Sequence, residues 1–213
     1  MPAVVIFNDY PIQSKNSLQP LKPLPPLQEN NMLIIPKEPK TLLLSIGRLW
    51  NNEKCPDSRI SALVEIQKNE VGILVKTTTP SLPGYKLPEA PSGARVENLD
   101  AFERVCVFFV EDSGEYLEIK LGIGGQYLVQ GFDGPHQMVA DFADVRFAVR
   151  HEVLKNGKVV NEILLPTELF PSHLTALNAF LVAGNQVLAY HPLSGSEPDL
   201  HQPNTFPLAR IEE

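Results

Sequence analysis

Residues 102–121 read FERVCVFFVEDSGEYLEIKL, and this stretch decides the fold. Val105, Val107 and Phe109 alternate along one arm, and Leu117, Ile119 and Leu121 along the other. A period of two puts each set on a single face of a sheet. Between the arms lies Glu-Asp-Ser-Gly-Glu (111–115), in which Gly114 can take the positive φ that a short loop needs. Phe102, Phe108 and Phe109 crowd large rings into a short span, which predicts that this hairpin crosses the middle of a sheet.

Other paired segments flank it. Arg59–Gln67 and Val71–Thr79, joined through Lys68-Asn69-Glu70, predict an earlier hairpin. Met32–Ile35, Thr41–Ile46 and Gln126–Phe132 read as strands, as do Leu174–Ala183 and Val187–Tyr190, joined through Gly184-Asn185. Asp144–Val153 and Lys158–Leu165 surround Asn156-Gly157, a type I′ turn signal. A two-residue loop there sets Val153 opposite Val160, His151 opposite Glu162 and Val149 opposite Leu164. One face then carries Val145, Phe147, Val149, Val153, Val160 and Leu164, and the other Arg146, Arg150, Glu152, Asn161 and Ile163. Pro166–Phe170 reads as one helical turn stopped by Pro171.

These many short strands, frequent turns and scarce helix predict an all-β fold, an antiparallel β-sandwich, as one domain over 1–213. Of the 20 prolines, 13 fall in the first 91 residues. The Pro-rich segment 8–40 is expected to lie on that domain or to extend from it. Leu18, Leu21, Leu24 and Leu27 recur every three residues, as on one side of a polyproline II helix. Ala3–Phe7 reads as a short strand, too short for a signal peptide or membrane span. The tail 191–213, with Pro192, Pro198, Pro203 and Pro207, shows no regular pattern.

Charge narrows the partners. At a net −7, without Lys/Arg runs interleaved with aromatics, no nucleic acid partner is expected. No membrane partner is expected either, and the sequence does not fix an oligomeric state. Cys55 and Cys106 form no disulfide framework or zinc motif and suit a reducing, cytoplasmic compartment. Cys106, inside the Phe-rich strand, is expected to be a buried apolar residue.

From Leu99 onward the order of segments resembles an uncharacterised DOMON-like family related to the family nine carbohydrate-binding modules. The resemblance rests on Val105–Val110, Glu115–Ile119, Gly125–Leu128, Leu165–Pro171, Asn178–Phe180, Tyr190–Pro192, Pro198–His201 and Phe206. It implies a sandwich whose concave face holds a sugar. Relatives stack a tryptophan on the ring and bind hydroxyls with a carboxylate six residues later. Asp100 stands at that tryptophan position and Cys106 at the carboxylate position, so neither group is carried over; Trp50 or Phe102 would have to serve as platform.

No Gly-x-Ser-x-Gly, HExxH or CxxC occurs, and the chain is read as non-enzymatic and without a cofactor. His191 and His201 with Asp199 could converge as a metal or acid–base cluster, and the acids at 111–115 and 141–144 could hold calcium; pinning the tail and solvated turns are the structural alternatives. The expected function is a binding module for a saccharide or other small polar ligand. Candidate contacts are Glu103, Tyr127, Arg146, Arg150, Tyr190, Asp199 and His201. A protein-interaction domain, using the Pro-rich segment or a sheet edge, is the alternative.

Overall fold

The computed structural model describes residues 32–212. The expected strand at 3–7 and the three-residue leucine repeat before residue 28 lie outside the described residues. The chain runs through β1 (Leu33–Ile35), β2 (Leu42–Ile46), β3 (Arg48–Leu49), β4 (Ala62–Lys68), β5 (Gly72–Pro80), β6 (Arg104–Glu111) and β7 (Tyr116–Gly122). It continues through β8 (Tyr127–Phe132), β9 (Met138–Ala140), β10 (Ala148–Val153), β11 (Lys158–Pro166), β12 (Leu174–Ala183), β13 (Gln186–Ala189) and β14 (Ala209–Ile211). Short 3-10 turns form at Leu99–Ala101, Thr167–Leu169 and Pro203–Thr205.

Two antiparallel sheets make the sandwich. One has the order β10-β11-β5-β4-β2, the other β3-β13-β12-β6-β7-β8-β9. The hairpin of 102–121 supplies β6 and β7, and β6 is the central strand of seven, as the ring density predicts. Val105 pairs with Leu121, Val107 with Ile119 and Phe109 with Leu117. All six side chains point between the sheets and are buried. Gly114 takes φ +91 in the turn.

A parallel pair, β1 with β14, bridges the two sheets. Its flanks touch opposite layers, Lys37 after β1 meeting β4 at Lys68 and Leu208 before β14 meeting β12 at Ala176. Ile35 and Ala209 from this pair complete the inner core.

The hairpin β10–β11 corrects the expected register. Its loop has three residues, with Leu154 N–H donating to Lys158 O at 2.8 Å and Gly157 N–H to Leu154 O at 3.0 Å. Gly157 sits at φ +76, the left-handed position that closes a three-residue loop. Val153 therefore faces Val159, His151 faces Asn161 and Val149 faces Ile163. A one-residue slip exchanges the faces of one strand. Val159, Asn161 and Ile163 turn inward and are buried, while Val160, Glu162 and Leu164 turn outward.

The seven-stranded sheet is covered on both sides. Its outer face carries Cys106, Phe108, Val110, Tyr116, Phe132 and Phe180, and Leu193 and Phe206 from the tail pack onto them. Before β14 the tail has no periodicity, because that part is not itself a layer element. It is a strap, fixed by aromatic contacts such as Phe108–Phe206 at 5.6 Å between ring centres. Burial on both faces makes β6 apolar at nearly every position.

A candidate ligand face on the seven-stranded sheet

The tail does not cover the whole outer face. Past Phe108 and Phe180 the outward positions become polar: Arg104 on β6, Glu118 and Lys120 on β7, and Gln130 on β8. The register sets them side by side, with Cys106 paired to Lys120 and Glu118 to Gln130. Above them sits the 3-10 turn Leu99–Ala101, anchored by the fully buried Leu99 and presenting Asp100.

Asp100 organises the group. Its Oδ1 lies 2.9 Å from Arg104 Nη2 and its Oδ2 2.8 Å from Lys120 Nζ. Arg104 also donates from Nη1 to the Asp100 and Phe102 carbonyls at 2.9 and 3.0 Å. Lys120 Nζ donates to Gln130 Oε1 at 3.0 Å. The two cations are nearly buried, with side chains 11 % and 5 % exposed, whereas the Asp100 side chain is 55 % exposed. Buried partners thus hold an exposed carboxylate in one orientation, and each oxygen retains a lone pair for a further donor.

Glu118 is the most constrained member. Its side chain is 2 % exposed and its Oε2 lies 3.4 Å from Lys120 Nζ. Among the described residues that oxygen has no hydrogen-bond donor. Lys120 is bonded instead to Asp100 and Gln130, so its charge compensates Glu118 only in part. Burial, against the pull of Lys120, lifts the Glu118 carboxyl to about 7. Lys120 shifts upward as well; burial opposes this, but the carboxylates around it prevail. The Cys106 thiol is driven to about 12 by complete burial, the inert state expected for it.

Two of the seven candidate contacts border this group. His201 places Nε2 3.9 Å from Glu118 Oε2 and shares a 2.7 Å hydrogen bond between Nδ1 and Tyr116 OH. Burial, with His136 and Lys120 nearby, lowers His201 to about 4, so it is neutral at neutral pH. Asp199 Oδ1 accepts from His201 N–H at 2.9 Å, and its Oδ2 lies 3.2 Å from His136 Nε2. These contacts pin the tail, the structural role weighed for this pair. His191 is half-buried and its carbonyl accepts from Asn178 Nδ2 at 3.1 Å, apart from both. Among the described residues no group of three His, Cys, Asp or Glu side chains has the arrangement of a metal site.

The other five candidates stand elsewhere. Tyr127 is buried in the inner core, edge-on to Phe147 at 5.6 Å. Glu103 is 5 % exposed and accepts from Lys86 N–H at 2.6 Å. Tyr190 is partly buried against the inner core. Arg146 and Arg150 are exposed on the other sheet's side of the sandwich, where Arg150 pairs with Glu152 at 3.2 Å and Glu162 at 3.9 Å. Arg150 borders a groove of about 270 Å³ with Leu74 and Leu164.

Sequence reasoning missed Glu118 and Lys120, although they carried a signal. They alternate with Leu117, Ile119 and Leu121 in a strand that otherwise belongs to a sheet centre. Charged side chains are rarely buried unless paired, so their presence there marks a polar cluster. Trp50, one of the two substitute platforms considered, packs on the outer cluster. Its backbone N–H donates to Val187 O at 2.9 Å. Val187 pairs with Val182, and Val182 with Arg104, so Trp50 and Arg104 share one cross-strand row. Val182 and Val187 between them are partly exposed.

No known protein-family profile matches the chain, and no curated protein sequence does. The fold is similar to a crystal structure of a "putative carbohydrate-binding protein" from Bacteroides uniformis. The TM-score is 0.62 over 81 % of this chain and 87 % of that one, at 12 % identity. Identity this low makes the likeness one of fold alone.

Proposed function

We propose that the protein is a non-catalytic binding module that takes a small polyhydroxylated ligand, a saccharide, on the polar part of the seven-stranded sheet's outer face. One observation carries this: Asp100 is exposed while the two cations that orient it are nearly buried. A pre-oriented carboxylate accepts bonds from two neighbouring hydroxyls without losing side-chain freedom on binding. Val182 and Val187, between Trp50 and Arg104, offer an apolar floor for the C–H side of a ring. The fold of the Bacteroides uniformis protein supports the same class of ligand.

A thermal-shift series of mono- and disaccharides at millimolar concentration tests the proposal, with Asp100→Ala as control. A ligand at ten times its Kd adds about 1.4 kcal/mol to folding stability, which is a rise of about 3–6 °C for a chain this size. The expected result is a rise for at least one sugar that is absent in Asp100→Ala. No rise with any sugar, or the same rise in the variant, overturns it.

The alternative, a protein-interaction domain, is favoured by the last strand of the sheet. Among the described residues β9 pairs on one side only, with β8, and leaves Met138 52 % and Val139 67 % exposed. Unpaired apolar edges recruit other strands. Sedimentation of the full chain with and without Val139→Lys checks self-association through this edge; monomers at every concentration count against it.

A further inference from the structure

A groove of about 420 Å³ crosses the ends of β6, β7, β8 and β9 beside the turn 111–115. This is the strand end away from Asp100, which sits by Arg104 and Gly122. Leu117, Phe142, Leu169 and Phe170 form apolar walls, and Val139 lies at the β9 end. Gly131 lines the groove beside Phe142, and a Cβ there would make only ordinary contact, 3.6 Å from the Phe142 ring. Phe142 itself sits at φ +48, an unusual backbone for a bulky residue. The turn holds it there, with Ala143 N–H bonded to Asp141 Oδ1 at 3.1 Å and Val145 N–H to Phe142 O at 3.0 Å.

The charge of the groove is one-sided. Glu111, Glu115 and Glu168 line it, and among the described residues no lysine, arginine or histidine does. Among the described residues none of the three lies in an ion pair. Glu111 is fixed by a 2.6 Å bond from Ser172 Oγ, which orients it without neutralising it. Lys68 borders the adjoining groove behind Glu168 and forms no pair with it.

We infer that this groove binds an alkylammonium group: a cationic amine on a linear aliphatic stem. The ammonium, with three donors and no acceptor, lies among Glu111, Glu115 and Glu168. The stem runs along Leu117 and the faces of Phe170 and Phe142 toward Val139, burying methylenes against apolar walls. A neutral sugar would leave the carboxylates uncompensated, and an anion would be repelled. Strand spacing of about 4.8 Å makes the groove roughly 14 Å long, enough for an extended stem. This site is separate from the Asp100 face and does not depend on it. The same chemistry can arrive as a free aliphatic amine or as the lysine side chain of a partner protein.

Isothermal titration of the full chain at neutral pH and low salt separates these. The probes are hexylamine, 1-hexanol, methylammonium and a short lysine peptide with blocked termini. The expected result is that hexylamine binds at least about tenfold more tightly than the alcohol or methylammonium, because charge and stem are both used. Added salt weakens it. The double variant Glu115→Gln/Glu168→Gln, at two exposed positions that leave the fold intact, removes the preference over the alcohol. Tighter binding of the peptide than of hexylamine supports a protein partner as the source, and the reverse order supports a free amine. Hexylamine no tighter than hexanol, or a preference that survives in the double variant, overturns the inference.

Discussion

Glu118 Oε2 and His201 Nε2 lie 3.9 Å apart beneath the tail, and burial moves the two groups in opposite directions. Glu118 rises from an ordinary 4.5 to about 7, so the native protein keeps a proton that the unfolded chain releases. Its contribution to stability is full below 4.5 and is lost as pH rises through 7. His201 falls from 6.5 to about 4, so the native protein releases a proton that the unfolded chain keeps. Its contribution is full above 6.5 and is lost as pH falls through 4. Between 4.5 and 6.5 the two slopes oppose. Around His201 stand Tyr116, Glu118 and Lys120 of β7, His136, Asp199 and Asp100. Glu118→Gln should leave a protein that weakens on acidification over that range. His201→Gln should leave one that strengthens, with a slope of up to about 1.4 kcal/mol per pH unit. Denaturant titrations across the range check this; slopes of the same sign in both variants would refute the opposition.

Asp100 competes with Glu118 for Lys120, and its negative charge helps to keep Glu118 protonated. Removing that charge frees Lys120 to bond Glu118 Oε2, which has no hydrogen-bond partner among the described residues. In Asp100→Asn the Glu118 pKa should therefore fall below its native value of about 7. A carboxyl-carbon NMR titration of Glu118 reads this directly. An unchanged titration would mean that Lys120 is not shared between the two carboxylates.

The centre of the fold was legible in the sequence because two local signals agree there. Alternation along 105–109 and 117–121 and the glycine in the turn specify the same hairpin. The hairpin β10–β11 was legible only as a hairpin: Asn156-Gly157 marks a turn, but serves two-residue and three-residue loops alike. The difference of one residue moved Asn161 and Ile163 to the interior. The polar face was harder to read because Asp100, Arg104, Glu118, Gln130 and His201 meet only through cross-strand register and the path of the tail. Burial gives Tyr127 and Glu103 structural roles, which neither strand alternation nor the family resemblance reveals.

Gly72 reports on how closely β5 and β11 approach. It pairs with Pro166, and a Cβ added to it would stand 1.9 Å from Leu165 O. Backbone cannot yield as a flexible side-chain tip can, so Gly72→Ala must displace the end of β11 and the 3-10 turn after it. A loss of at least about 2 kcal/mol is expected, in the range of overpacked interiors. Gly47→Ala is the control, since a Cβ there meets nothing within 4 Å. Equal denaturation midpoints for the two variants would show that β11 accommodates the added group.

Phe206 tests whether the tail is a structural layer or a loose cover. It is 4 % exposed, with its ring centre 5.6 Å from Phe108 and 5.9 Å from Phe180. The chain just after it is also tied by backbone bonds, Leu177 N–H to Pro207 O at 3.0 Å and Leu33 N–H to Leu208 O at 2.8 Å. Aromatic burial adds to that attachment. Phe206→Ala should cost about 3–5 kcal/mol, the range for a buried ring removed from a packed cluster. Leu208→Ala, at a position 41 % exposed, should cost far less. Limited proteolysis should cut the Phe206 variant first between Pro192 and Pro207, because the freed strap becomes extended and accessible. Resistance of that segment to the protease, with a loss below about 1 kcal/mol, would show that the outer aromatic cluster is held without Phe206.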